Sequence, residues 1–271
     1  EPRRIVELAA GLGVPTAYFE NQIHMKAITN ARAQLDATAR AMGPLVLARS
    51  SEEHAGPHNA WFWDPTRQGG GVLSDMGCHS IAVGWYLLTP PGEGIRHLVP
   101  ETVSAEVGLL KWGQPRWRAE LLERYEVDYA QTPAEDFATG IVTYRDPDTD
   151  HRSKAQFTVS WMYDKQGLRL LMDAIGPGYA LEVNTLRSPL ELFIGDAAAA
   201  SVADAETALE KATASRGLLA VQPNEPDLYG YVDEHIDALA AFERGESALP
   251  DVDYGLEIVR RNMACYLSAE E

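Results

Sequence analysis

Gly69-Gly-Gly-Val-Leu-Ser-Asp75-Met-Gly-Cys-His79 is the stretch on which the reading of this chain turns. Three glycines mark an entry turn, and Val72, Met76, His79, Val83 and Tyr86 follow at helical spacing until Pro90-Pro91 ends the run. Asp75 and His79 stand four residues apart, which on a helix puts both on one face about a turn apart. Asp75 falls in the first turn, where the helix dipole favours negative charge. An imidazole titrates near neutrality and can take and return a proton. A carboxylate beside it orients the ring or raises its proton affinity. The same spacing also fits a helix-start Asp and a satisfied core His. The triplet itself either lets a backbone approach a ligand at a helix N-terminus or forms a tight turn.

Working outward, residues 49–79 hold Arg49, His54, His58, Trp61, Trp63, Asp64, Asp75 and His79, which include three of the seven histidines and two of the six tryptophans. A polar, aromatic loop is expected from Arg49 to Gln68, and one so long more often lines a site than merely connects elements. Trp61 and Trp63 would stack on the apolar face of a sugar ring, or anchor a core or an interface. His54, His58, Asp75 and His79 together have the ligand types of a divalent metal site. However, His54-x-x-x-His58 spans Gly56-Pro57 and so lies off any regular helix.

Before this window, Ile5, Val6, Leu8, Ala9 and Leu12 predict a helix stopped by Gly13, and Val14–Phe19 reads as a short buried strand closed by Glu20-Asn21-Gln22. A helix over 24–42 and a strand over 45–48 follow. Beyond residue 100 the period changes to two. Strands are expected around 103–107, 137–144, 157–161, 168–175, 180–183 and 190–194, with links short enough to imply a largely antiparallel sheet. Residues 114–130 fit helix or strand equally. Helices are expected over 203–215, 228–243 and 254–268. The fold class is α/β (α+β).

The chain has 271 residues, 45% of them hydrophobic, enough for a sizeable core. Lys plus Arg number 23 against 40 Asp plus Glu, a net charge of −17. Such a balance gives no general attraction for nucleic acid or anionic membranes, and neither is expected as a partner. There is no run of 18 apolar residues and no signal-peptide hydrophobic segment. Cys78 and Cys265 each sit in an apolar pattern and read as reduced core thiols of a cytoplasmic protein. No G-x-G-x-x-G, Walker lysine, G-x-S-x-G or H-E-x-x-H occurs, so no complete nucleotide site is expected within the chain. The sequence opens inside one helical pattern and closes inside another, which suggests a fragment of a longer protein.

Trp61-Phe-Trp-Asp64 followed by Gly69 to His79 resembles the glycine-rich turn and D-x-x-x-H helix of the Gfo/Idh/MocA oxidoreductases. Gly13-Val-Pro and Phe19-Glu-Asn21 are similar to that family's last Rossmann helix–strand unit. Tyr229-Gly-Tyr231, Glu234 and Ala264–Ser268 are similar to its closing helices. The resemblance implies the remnant of a Rossmann domain over 1–22 and, over 23–271, a C-terminal α/β domain with an open, mostly antiparallel sheet through which subunits pair as homo-oligomers. It implies hydride transfer between NAD or NADP and a sugar or polyol. Asp75 and His79 would be catalytic, with His79 the acid/base. Asn21 would meet the nicotinamide. Arg49, His54, His58, Trp61 and Trp63 would face substrate. The glycine fingerprint and the E-K-P motif with its lysine are missing, so most of the cofactor cradle is absent and the chain alone is expected to be inactive. Two other readings stand beside this one. One is a metal-dependent sugar hydrolase or isomerase using His54, His58, Asp75 and His79. The other is a non-catalytic module that binds sugar or dimerises.

Overall fold

A computed structural model describes residues 2–131, 133–165, 167–185, 191–194, 217–220 and 225–270. Six strands form one sheet: β1 (Leu47–Glu53), β2 (Val99–Gly108), β3 (Phe137–Arg145), β4 (Arg152–Ser160), β5 (Arg169–Gly176) and β6 (Tyr179–Asn184), in the spatial order β2-β3-β4-β1-β5-β6. All neighbours are antiparallel except β1 and β4, which run parallel from Leu47↔Lys154 to Glu53↔Ser160. The sheet is mostly antiparallel, as the short links between strands implied, and open, as the resemblance implied. A separate two-stranded ladder pairs β7 (Glu191–Ile194) with β8 (Gly217–Ala220).

β1 starts later than expected and runs on through Arg49 to Glu53, into the stretch read as loop. The reason is its central position. Hydrogen bonding to β4 on one side and β5 on the other outweighs the weak strand preference of Arg-Ser-Ser-Glu-Glu. Its residues still alternate: Ala48, Ser50 and Glu52 are buried, and Arg49 points to the opposite face.

One face of the sheet carries the helices. Helix α4 (Cys78–Leu88) lies across β1 and β4 and is buried nearly all round, as a helix apolar on every side must be. The closing helix, α8 (Val252–Glu270), lies across β2. The two meet where Trp85 stacks on Tyr254 at 4.7 Å, with the Arg261 guanidinium 3.8 Å above the indole. Tyr254 Oη donates to the Ala82 carbonyl at 2.7 Å.

Among the described residues, the remaining α-helices are α1 (Pro2–Leu12), α2 (Lys26–Met42), α3 (Pro65–Gln68), α5 (Pro115–Tyr125), α6 (Glu225–Leu228) and α7 (Tyr231–Glu243). The ambiguous stretch 114–130 therefore contains a helix, opened by Pro115 and stopped where Glu126 turns left-handed at φ 58°. Helix α1 forms as expected, with Ile5, Leu8 and Leu12 exposed. Val14–Phe19 does not become a strand. Its backbone bonds go to an irregular loop instead: Tyr18 N–H to the Pro250 carbonyl, and Ala248 N–H to the Thr16 carbonyl, each at 2.9 Å. The helix expected over 203–215 lies outside the described residues. Cys265 is buried, Cys78 is half-buried and both thiols are free; burial is the leading cause that pushes each up to about 12. Among the described residues no helix is long and apolar enough to cross a membrane.

Candidate active site

The glycine triplet is an entry turn. A Cβ on Gly70, at φ 152°, would lie 2.1 Å from the Tyr266 hydroxyl, and one on Gly71 would lie 2.2 Å from the Glu135 carbonyl oxygen. Neither position tolerates a side chain without displacing its neighbour. Glu135 Oε1 accepts from Gly71 N–H at 2.9 Å, Leu73 N–H at 3.1 Å and Tyr266 Oη at 2.6 Å. A protein carboxylate thus already occupies the amides that an anionic ligand would use at this helix start. The turn continues as a π turn over Leu73–Gly77 before α4 begins. Such i→i+5 turns recur at functional sites.

Asp75 and His79 both project from this segment, yet the carboxylate that holds the imidazole comes from elsewhere. His79 Nδ1 lies 2.9 Å from Glu20 Oε1 and 3.1 Å from Oε2. Asp75 is tied to the sheet: Trp161 Nε1, just past β4, donates to its Oδ2 at 2.9 Å, and His54 Nε2 stands 4.0 Å from the same oxygen. Of the two carboxylates, Glu20 and not Asp75 is bonded to the ring. Partners on other elements, Glu20 and Trp161, set the orientation of the two side chains.

Glu20 is fully buried, whereas the His79 side chain is 27% exposed. Burial alone would lower the imidazole's proton affinity, but the attraction of Glu20, with smaller help from Cys78 and Glu52, overcomes it and raises the pKa well above 6.5. Glu52, on the same sheet face, accepts from Gln22 Nε2 at 2.6 Å. Glu234 on α7 is also buried, and burial raises its carboxyl to about 7.

The other expected residues divide. His54, His58 and Trp63 line one cleft of about 190 Å³ with Trp112, Tyr125 and Asp164. The ring of His54 is held by its neighbour, Nδ1 accepting from Gly56 N–H at 3.0 Å. Trp63 is buried edge-on against Trp112 and Trp161, each 5.0 Å away, so the anchoring reading fits its body, and only part of it reaches the cleft. Trp61 is on the surface, stacked 3.9 Å from Phe62. Arg49 is on the open face of the sheet with Ser51, Gln156 and Asp173, away from Ser50 and Glu52. Asn21 is buried, and its amide donates to the Tyr229 carbonyl at 2.7 Å, joining the site to the start of α7.

The metal reading of His54, His58, Asp75 and His79 gains no geometric support. Among the described residues, the group of three or more such side chains whose ligand atoms all lie within 4.8 Å of one another is Glu93, His97 and Asp148. Sequence reading missed Glu20, Glu135, Trp161 and Tyr266. The one available signal for Glu20 was an acid placed directly after the apolar run ending at Phe19.

A family model for the GFO/IDH/MocA C-terminal domain matches residues 30–173. Among solved structures, the chain is similar to GenD2 from gentamicin A biosynthesis in complex with NAD, at 21% identity and a TM-score of 0.73, covering 100% of this chain and 66% of that one. It is similar to a putative myo-inositol dehydrogenase from Sinorhizobium meliloti 1021, at 16% identity, a TM-score of 0.68 and coverage of 99% and 67%. It is also similar to levoglucosan dehydrogenase in complex with NADH and levoglucosan, at 15% identity, a TM-score of 0.65 and coverage of 99% and 68%. No curated protein matches. At these identities the structural likenesses speak for the fold, and the chain spans about two thirds of each of those chains. The family model, which covers more than half of the sequence, carries the assignment: the chain belongs to the GFO/IDH/MocA family through its C-terminal domain.

Proposed function

We propose that this chain is the substrate-side part of an NAD- or NADP-dependent oxidoreductase acting on a sugar or polyol, with His79 as acid/base. The observation that carries the reading is an imidazole seated on a buried carboxylate through Nδ1 and still partly exposed to solvent. GenD2 is described in complex with NAD and levoglucosan dehydrogenase with NADH and a sugar derivative, which supports a nicotinamide cofactor and a carbohydrate-like substrate.

The described residues suit the reacting end of such a cofactor and not its phosphates. The amides at the start of the Asp75–His79 segment are taken by Glu135, and no glycine fingerprint is present. Bound nicotinamide would supply the hydride acceptor for the carbinol carbon. His79 Nε2 would take the hydroxyl proton as the carbonyl forms, and return one in the reverse direction. Asp75, fixed by Trp161, would hold a second substrate hydroxyl, and the cleft at His54, His58 and Trp63 would take the rest of the molecule. Asn21 would border the nicotinamide. Residues 1–22 would be the end of the dinucleotide-binding domain, and the chain alone would bind dinucleotide weakly and turn nothing over.

Two measurements test this. Titrating the isolated chain with NADH and NADPH should show no tight, stoichiometric binding. In the complete enzyme, His79→Asn should lower turnover of its sugar or polyol substrate by about 10²-fold or more while leaving cofactor affinity nearly unchanged. Undiminished turnover would make His79 structural.

A further inference from the structure

Glu20 has no assigned role, and it is the residue on which His79 rests. Both of its carboxylate oxygens lie within hydrogen-bond distance of Nδ1, at 2.9 and 3.1 Å, and the carboxylate is fully buried. It is also held from behind. Its Oε1 accepts the Gln22 N–H at 3.3 Å, and the Gln22 side chain in turn donates to Glu52 at 2.6 Å. Gln22 is itself buried. Asn21, between them, is bonded to Tyr229 at 2.7 Å. The short turn Asn21–His24 is therefore tied to Tyr229 on one side and Glu52 on the other, and the Glu20 side chain caps its start. Among the described residues, nothing accepts from or donates to His79 Nε2.

We propose that Glu20 is the positioning residue of His79: it pins Nδ1, fixes the proton there, and leaves Nε2 as the nitrogen that meets the substrate hydroxyl. This deepens the function proposed above and, as far as catalysis goes, rests on it. The physical logic is general. A neutral imidazole has one donor nitrogen and one acceptor, and the partner of one decides the state of the other. A carboxylate at Nδ1 makes Nε2 the acceptor when the ring is neutral, as a general base requires, and stabilises the imidazolium once the proton has arrived. The cost of displacing such a group is large, because rate depends steeply on the geometry of attack.

Four ionisable groups bear on the ring: Glu20 from the segment before α2, Glu52 from β1, Glu234 from α7, and Cys78 from its own helix. Of these, Glu20 makes the hydrogen bond. Removing its charge while keeping its shape, as Glu20→Gln, isolates its contribution from that of the others.

The test has a structural arm and a catalytic arm. In the first, the histidine rings of this chain are followed by NMR as a function of pH, with His79 assigned by its loss in His79→Asn. Wild type should show Nδ1 protonated throughout, a far-downfield Nδ1–H signal, and a midpoint well above 6.5. Glu20→Gln should move the midpoint down by a unit or more. If the wild-type ring titrates near 6.5, or shows no Nδ1–H signal, the proposal is overturned, and that measurement needs no variant to fold. In the second arm, the complete enzyme carrying Glu20→Gln should lose about 10²-fold in kcat with little change in KM. Its limiting pKa for oxidation should fall, and Glu20→Asp should recover part of the rate. An unchanged pH profile overturns the proposal. Wild-type enzyme inactive on every sugar and polyol, with the NMR result intact, would overturn the proposed function and leave the pairing of Glu20 with His79 standing.

Discussion

Trp161 Nε1 donates to Asp75 Oδ2 at 2.9 Å, which fastens the π turn over Leu73–Gly77 to the end of β4. Trp161 is wholly buried, so Trp161→Phe loses a charge-assisted hydrogen bond and leaves a small void. It should cost about 1–3 kcal/mol in urea unfolding. Asp75→Asn keeps an acceptor oxygen for the indole and should cost less than half as much stability, while lowering turnover of the complete enzyme by 10-fold or more. Equal destabilisation by the two variants would make Asp75 a scaffold residue only.

Glu135 Oε1 holds three donors at the start of the same segment, and the glycine beside it has no room for a methyl group. Glu135→Ala should destabilise by about 1–3 kcal/mol, since Leu73 N–H loses this acceptor, while Gly71 N–H keeps the Tyr266 hydroxyl at 3.3 Å and that hydroxyl keeps Ser74 Oγ at 3.2 Å. Gly71→Ala should cost about 1–3 kcal/mol through overpacking. Tyr266→Phe should cost clearly less in the Glu135→Ala background than in wild type, because the two share one interaction. Strictly additive losses in thermal melts would show that the hydroxyl and the carboxylate are not coupled.

Stability should fall as pH rises from mildly acidic to alkaline values, for two reasons of the same sign. The raised pKa of His79 means that its contribution is complete below the unfolded value of 6.5 and is lost as pH climbs through the folded value. Glu234 behaves similarly for a different cause. Burial raises its carboxyl from 4.5 to about 7, so between those values the native state keeps a proton that the unfolded chain has released. Glu234→Gln removes the second contribution. The variant should match wild type near pH 4 and exceed it by about 1–3 kcal/mol at pH 8, read from urea midpoints across the range. A gap independent of pH would show that Glu234 is not the titrating group.

The sequence was most readable where one periodicity dominated. β5 alternates residue by residue, with Leu170, Met172 and Ala174 buried, and α4 is apolar on all sides; both lie where patterning put them. Pattern failed where tertiary pairing overrode it. Arg49–Glu53 is polar and looked like loop, but two neighbouring strands make it the middle of the sheet. Val14–Phe19 has the composition of a strand, but its backbone bonds go to the loop at 248–250. At the site, Asp75 and His79 were visible because they share one short segment. Glu20 is 59 residues away from His79, and Trp161 is 86 away from Asp75. Such pairings arise from folding and leave no local spacing to read, so the carboxylate that holds the ring could not be named from the Asp75–His79 spacing.

A homo-oligomer formed through the sheet would use its open face. Arg49, Ser51, Gln156, Thr158, Leu171 and Asp173 form a shallow depression there, and Ile141, opposite Gln156 in the β3–β4 register, is 40% exposed. Helices cover the other face, at β1, β4 and β2. If two copies pair through the open face, Ile141→Glu puts a carboxylate into each half of a contact that must otherwise exclude water. A buried, unpaired charge is costly enough to outweigh an interface of moderate size. Light scattering coupled to size exclusion should therefore give an oligomer for wild type and the monomer mass for Ile141→Glu. The variant's thermal stability at low concentration should match that of dissociated wild type, because the residue is on the surface of one subunit. A wild-type monomer at high micromolar concentration, or an oligomer that survives the substitution unchanged, would move the contact to another surface.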